Sequence, residues 1–224
     1  MEGKLFVVEG LDGSGKQTQS QLLYERLSAG GFKVKKVEYP NYASESSALV
    51  KMYLRGDFGS KPEDVDAYVS STFFAADRYA SYKTDYEDFY NEGGIVIADR
   101  YTTSNMVHQA SKIHDETEWN KFLDWLWDLE FGIYKIPVPS QVFFLDIQPD
   151  ISQKLISHRL NKFSHEETKD IHERDVDYLK DSYANALKVC EKYGWHRINC
   201  VDGERLKPIE EISDILFSEV KKYI

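Results

Sequence analysis

Three short runs in the chain are apolar without interruption: Leu5-Phe6-Val7-Val8, Ile95-Val96-Ile97-Ala98 and Val142-Phe143-Phe144-Leu145. Unbroken rather than alternating apolarity is the pattern of strands covered on both faces, as in a parallel sheet. Val34 to Tyr39 is a weaker strand with Lys35 and Lys36 inside it, and Arg197 to Val201, ended by Asp202-Gly203, reads as the last strand. Helical spacing predicts helices over Gln17–Ala29, Ser46–Leu54, Val65–Tyr90, Glu116–Phe131, Ile151–Arg159, Arg174–Tyr193 and Ile209–Tyr223. Strands alternating with helices predict an α/β fold: a parallel five-stranded sheet flanked by helices, with right-handed crossovers. Leu160 to Glu173 is polar, charged and poor in apolar residues, and reads as a mobile loop. With no repeat, linker or low-complexity tract, residues 1–224 read as a single domain.

Composition narrows the class. Apolar residues make up 42% of the 224, enough for a sizeable core and too many for a disordered chain. The formal charge is −10, from 28 Lys+Arg and 38 Asp+Glu. That argues against binding a nucleic-acid polymer, which needs concentrated basic residues, but leaves room for a phosphorylated small molecule held by a few local cations. Two cysteines, Cys190 and Cys200, are too few for a disulfide framework or a four-ligand zinc site, and read as reduced thiols. No apolar run approaches a membrane span, and Met1-Glu2-Gly3-Lys4 leads straight into a strand, unlike a signal peptide. The expectation is a cytoplasmic protein without a membrane partner.

Chemistry enters after the first strand. Gly10-Leu11-Asp12-Gly13-Ser14-Gly15-Lys16-Gln17-Thr18 fits G-x-x-x-x-G-K between a buried strand and a helix. Gly10, Gly13 and Gly15, with Ser14, let backbone N–H groups curl around a phosphate, the helix N-terminus adds partial positive charge, and Lys16 reaches the β- and γ-phosphates. The pattern departs from its usual form after the lysine, where Ser or Thr would hold Mg²⁺. Here Gln17 stands there and the hydroxyl comes at Thr18, rotated about 100° around the helix. Either the Gln17 amide oxygen, a hard ligand acceptable to Mg²⁺, takes that place, or the metal keeps a water there.

The strand Ile95–Ala98 runs into Asp99-Arg100-Tyr101. A carboxylate at the carboxyl end of a parallel strand lies where such folds bind ligands, so Asp99 is a candidate for orienting Mg²⁺, and Arg100 for clamping an anion. In the long helix, Phe74 and Arg78 are four apart and share a face. An aromatic plane beside a guanidinium suits a flat heterocycle. By spacing alone, both Phe73 and Phe74 also read as core and Arg78 as surface. The same two options hold for the broad apolar helix face of Trp119, Phe122, Trp125, Leu126, Trp127 and Leu129: core packing, or contact with a partner.

Together, Glu9-Gly10-Leu11-Asp12-Gly13-Ser14-Gly15-Lys16, Tyr39-Pro40, Phe74 through Arg78, and Asp99-Arg100-Tyr101-Thr102-Thr103-Ser104-Asn105 resemble the thymidylate kinases, within the nucleoside monophosphate kinases. The resemblance spans nearly the whole chain, with the specific part in Glu9–Gln109. It implies the three-layer fold of P-loop NTPases and phosphorylation of dTMP by ATP with Mg²⁺ in a homodimer. It also implies roles by position. Asp12 binds the acceptor sugar 3′-hydroxyl, Phe74 stacks on thymine, Arg78 and Asn105 read its edge, and Arg100 clamps the monophosphate. Ser104 and Gln109 support the pocket, and His108 sits where relatives often place a tyrosine against the sugar C2′. Tyr42 stands where many relatives carry an arginine that contacts phosphate.

The loop position after Asp12 is Gly13, where some thymidylate kinases carry an arginine. The pattern therefore resembles the subgroup in which a lid over residues 160–173 supplies that cation. Arg159, Lys162, Lys169 and Arg174 are available, and Arg159 and Lys162 are favoured because they enter the loop from a helix, one turn apart. A His flanked by acids at Ile171-His172-Glu173-Arg174-Asp175 reads as a charged helix start and not a metal site. Two rival functions stay open on the residues alone: a kinase for another deoxynucleotide or a nucleoside, and a non-catalytic ATP-binding regulatory protein.

Overall fold

The computed structural model describes residues 3–152, 176–203 and 205–224. Its main sheet holds β1 (Lys4–Glu9), β2 (Val34–Glu38), β3 (Ile95–Asp99), β4 (Gln141–Asp146) and β5 (His196–Asn199), all parallel, in the order β2-β3-β1-β4-β5. The helices are α1 (Lys16–Ala29), α2 (Ala48–Arg55), α3 (Ala67–Ser81), α4 (Glu87–Asn91), α5 (Thr102–His108), α6 (Glu116–Trp127), α7 (Val176–Tyr193) and α8 (Ile209–Val220).

The pleat sends alternate residues to opposite faces, so each apolar run feeds two cores. Leu5, Val7, Val96, Ala98, Val142 and Phe144 join one core, with Val107, Phe122 and Val189 from α5, α6 and α7. Phe6, Val8, Ile95, Ile97, Phe143 and Leu145 join the other, with Leu23, Leu27 and Leu216 from α1 and α8. The result is three layers, helix on sheet on helix. β2 is an edge strand, and its position explains the lysines in it: Lys35 and Lys36 are only half-buried, and Lys35 Nζ donates to the Asp85 carbonyl.

Several boundaries differ from expectation for local reasons. The helix expected over Val65–Tyr90 begins at Ala67, because Asp66 caps it, its carboxylate accepting from Tyr68 N at 2.8 Å. It widens into a π turn at Tyr82–Tyr86 before α4. The helix expected over Glu116–Phe131 becomes a π turn at Asp128–Ile133. Thr102–His108 forms α5, whose buried face is largely polar and therefore carries no apolar periodicity. The last strand ends at Asn199, whose side chain accepts from Val201 N, and Val201–Asp202 pairs antiparallel with Arg205–Leu206 as β6 and β7.

On α6, Phe122, Leu123 and Leu126 are core, Trp119 and Trp125 pack against it, and Trp127, 39% exposed, stacks on Tyr193 with ring centroids 5.7 Å apart. Cys190 and Cys200 are buried free thiols that burial pushes up to about 12, so neither is a reactive thiolate near neutrality. Among the described residues no helix is long and apolar enough to cross a membrane. Arg159 and the loop expected over 160–173, with Lys162 and Lys169, lie outside the described residues, as do Arg174 and the rest of Ile171–Asp175.

Leu145 is fully buried on β4 between α1 and α8. Leu145→Ala should destabilise the fold by about 2–5 kcal/mol through lost burial and a cavity. In urea unfolding, the midpoint should fall with an unchanged slope.

Candidate active site

Parallel pairing aligns the carboxyl ends of three strands. Val8 of β1 sits opposite Asp99 of β3, and Asp99 opposite Glu38 of β2. The pairing runs one step past the strands, with Arg100 N donating to the Val8 carbonyl and Tyr39 N to the Asp99 carbonyl. Three loops therefore leave the sheet side by side. They line a cleft of about 380 Å³ at that edge.

The first loop turns through Gly13 and Gly15, both at positive φ (77° and 85°), where a side chain would be strained. Gly15 leads directly into α1 as its N-cap. Lys16 opens the helix, and its ammonium donates to the Leu11 carbonyl across the loop at 2.7 Å. Burial, then the Arg100 charge, draw its pKa down from 10.5 to about 8. Asp12, Gly13, Gly15, Lys16 and Gln17 reach the cleft. Gly10, Ser14 and Thr18 are not among its lining residues. Gly10 and Ser14 instead shape the loop from behind, where a Cβ on Gly10 would come within 2.6 Å of Ser14 Oγ.

Arg100 faces this loop from the end of β3, in the left-handed region at φ 65°. A non-glycine residue stays there only when its surroundings hold it. Its guanidinium pairs with the Asp12 carboxylate, lies 3.6 Å from Glu9 Oε1, and donates through Nη1 to Ser104 Oγ at 3.4 Å. Burial works against the Arg100 charge, and Asp12 and Glu9 override it, so its pKa is raised. Nη1 also lies 3.2 Å from His108 Nε2. Arginine only donates, so that nitrogen is the acceptor and the imidazole carries its proton on Nδ1. Asp99 lines the cleft and accepts from Ser20 Oγ at 3.3 Å.

The same cleft is lined by Phe74, Arg78, Asn105 and Gln109, and by Tyr42, which is 54% exposed. Phe74 is half-buried and meets Tyr53 edge-on at 6.1 Å, so it belongs to both a small core and the cleft. Arg78 is not on the surface: its side chain is 1% exposed, in an ion pair with Glu130. Asn105 spends its amide N–H on the Ser71 carbonyl at 3.2 Å, and Gln109 Oε1 accepts from Ser70 at 2.8 Å.

Three further residues build the site, and the sequence marks each one weakly. Glu9, fully buried at the end of β1, accepts from Gly10 N, Thr103 Oγ1 and Ser104 Oγ at 2.7–2.9 Å while facing Arg100. Its signal is an acid directly following an unbroken apolar run. Asp77 is buried on α3 and accepts from Asn41 N at 2.8 Å and Ser46 Oγ at 2.6 Å, anchoring the loop that carries Tyr42. Glu130 falls four residues after Leu126, a buried acid in the π turn that continues α6. A charge that interrupts an apolar stripe needs a buried partner, and only the folded chain shows which.

Donor oxygens suited to a hard cation are present in Asp99 and Gln17, both lining the cleft. Among the described residues no group of three or more His, Cys, Asp or Glu could hold a metal ion by itself. That donor set fits a Mg²⁺ that keeps phosphates and waters as most of its ligands.

A glycine loop at a helix N-terminus, sharing one cleft with a second, partly buried cation at the carboxyl edge of a parallel sheet, defines a P-loop nucleotide kinase. Within that class the chain belongs to the thymidylate kinase family, whose model matches residues 8–211. It is similar to thymidylate kinase of Homo sapiens, 31% identical over 146 residues that span 65% of this chain and 62% of that protein. It is 26% identical to thymidylate kinase of Plasmodium falciparum over 222 residues, 99% of this chain and 91% of the other. In fold it matches the solved thymidylate kinase of Candida albicans with a TM-score of 0.70 at 21% identity, covering 99% of this chain and 92% of that one.

With Lys16 near 8, a bound polyphosphate should restore its proton. At pH 8.5 we expect triphosphate binding to take up about 0.5–0.8 proton. Calorimetry in buffers of different ionisation enthalpy reads this directly, and Lys16→Met should abolish it. Binding without uptake at pH 8.5 would mean the ammonium is already charged.

Proposed function

We propose that the chain transfers the γ-phosphoryl group of MgATP to dTMP, giving dTDP and ADP. The observation that supports this most is that Lys16 and Arg100 line one cleft together with Phe74, Arg78 and Asn105. Two anion sites and an aromatic, polar-edged slot suit a donor triphosphate, an acceptor monophosphate and its base.

In this reading Lys16 and the backbone of Gly13–Lys16 hold the donor phosphates. Arg100 holds the dTMP phosphate so that one of its oxygens attacks the γ-phosphorus in line, while the bond to the β–γ bridging oxygen breaks and ADP leaves. The acceptor phosphate takes the guanidinium from Asp12, which then accepts from the sugar 3′-hydroxyl. Phe74 stacks on the base, Arg78 and Asn105 meet its edge, and His108 packs beside the sugar. Asp99 and Gln17 would hold Mg²⁺, directly or through water, and the ion would supply neutralisation of charge on the transferring group. Arg159, outside the described residues, supplies the further cation of a lid. The same reading includes a homodimer and a cytoplasmic setting.

The direct test is ADP release from MgATP with dTMP, dUMP, dCMP, dGMP, AMP and thymidine. Strong turnover with dTMP, and little with AMP or thymidine, is expected; ATP binding with no turnover on any acceptor would refute catalysis. Arg100→Ala should lower kcat/KM for dTMP by two orders of magnitude or more, the ~3 kcal/mol scale of a lost charge-assisted contact. Gln17→Thr should change kcat by less than about tenfold, since one octahedral ligand can be exchanged for another oxygen or a water. A rise of several orders of magnitude would identify the native site as non-catalytic.

A further inference from the structure

Arg78 and Glu130 form an ion pair, 1% and 0% exposed, that the phosphates do not need. Arg78 Nε and Nη2 each donate to the Glu130 carboxylate at 2.6 Å, one to each oxygen, and the carboxylate is 0% exposed. Glu130 Oε2 also accepts from Thr102 Oγ1 at 2.8 Å, and Arg78 Nη1 lies 3.4 Å from the Tyr101 carbonyl. Three elements meet at this acid: α3 through Arg78, the start of α5 through Thr102, and the π turn that carries Glu130 itself. Such turns are rare and recur at functional sites.

The hydrogen-bond inventory shows what the pair can do. A guanidinium has five N–H donors and no acceptor. Glu130 uses two of them and the Tyr101 carbonyl a third, at longer range, leaving donors on Nη1 and Nη2 for whatever fills the cleft. The acid in turn receives three donors, filling three of its roughly four acceptor positions, and is sealed from solvent. Arg78 lines the cleft and Glu130 does not. The pair thus presents a fixed, donor-only wall. A base bearing a ring carbonyl there gains hydrogen bonds, whereas a base bearing an amino group there meets donor against donor. An arginine free to swing could turn aside and admit the amino group.

We infer that Glu130 is a specificity-determining positioning residue: by locking Arg78 bidentately it makes the base slot select a 4-oxo over a 4-amino pyrimidine. This rests on the reading above, in which Arg78 meets the base edge. Glu130 acts through Arg78 and touches neither substrate.

The test measures dissociation constants for dTMP and dCMP by calorimetry, and dTMP kinetics, for the wild type, Glu130→Gln, Glu130→Asp and Arg78→Lys. Glu130→Asp keeps the charge but withdraws it by one methylene, so position alone changes. Both Glu130 variants should weaken dTMP binding about tenfold, the scale of a lost bidentate contact, and narrow the dTMP-over-dCMP preference by a similar factor. KM for dTMP should rise while KM for ATP holds and kcat shifts less than about threefold, since only the base end moves. A general loss of stability would not produce that split. Should the Glu130 variants fail to fold, Thr102→Val removes only the hydrogen bond to Oε2 and should shift the preference the same way, by about twofold to fivefold. An unchanged preference in folded Glu130 variants, or in Thr102→Val if it alone folds, overturns the inference. The Arg78→Lys result separates the two claims. If it leaves the preference unchanged, Arg78 does not read the base; if it lowers the preference and the Glu130 variants do not, Arg78 reads the base unaided.

Discussion

The parallel pairing of β1 with β3 is the constraint from which the site follows. Because Val8 stands opposite Asp99, the loop after β1 and the loop after β3 leave the sheet at one edge and face each other. Neither loop makes an anion-binding cleft alone. A shift of register by one residue would turn every side chain of a strand to the other face and bury Asp99 or Arg100 in a hydrophobic layer. Full burial of both faces of β1 makes such a shift costly, so the apolar core enforces the geometry of the polar edge.

That edge is crowded with charge and stays balanced by internal pairing. Lys16 and Arg100 lie among the carboxylates of Glu9, Asp12 and Asp99, all close enough to move the Lys16 pKa. Arg100 leans on Asp12 and Glu9, and Lys16 on a loop carbonyl. These contacts are ones that phosphate oxygens can replace. Glu9 differs from Asp12 in being sealed off by Gly10, Thr103 and Ser104, so it remains a fixed support while Asp12 is available to exchange partners.

The same division between fixed support and exposed tool recurs at the base end. Asp77 and Glu130 are buried acids with several donors each, and each holds a segment that reaches the cleft: the loop of Tyr42, and Arg78. Buried acids of this kind cost desolvation and are tolerated only when fully partnered. Their return is a pocket whose polar groups are oriented before a ligand arrives.

Local chemistry was legible in the sequence by itself. Uninterrupted apolar runs mark doubly covered strands, and the glycine loop ending in Lys16 marks a phosphate site, because both depend on residues adjacent in the chain. Motif and strand context point to Lys16, Asp99 and Arg100 at one edge of the sheet, whereas Asp12 and Arg78 are assigned there only by resemblance to the thymidylate kinases, spacing alone reading Arg78 as surface. The partners of these residues could not be anticipated. Whether Arg78 lies on the surface or in a buried pair depends on Glu130, 52 residues away, and the support beneath Arg100 depends on Glu9 and Thr103, 94 residues apart. Helix α5 was hidden because its buried face is polar, which hydrophobic periodicity cannot register. Tertiary structure decided these contacts because a buried charge is stabilised only by the groups that the fold brings within hydrogen-bond distance, and that distance is not a property of sequence separation.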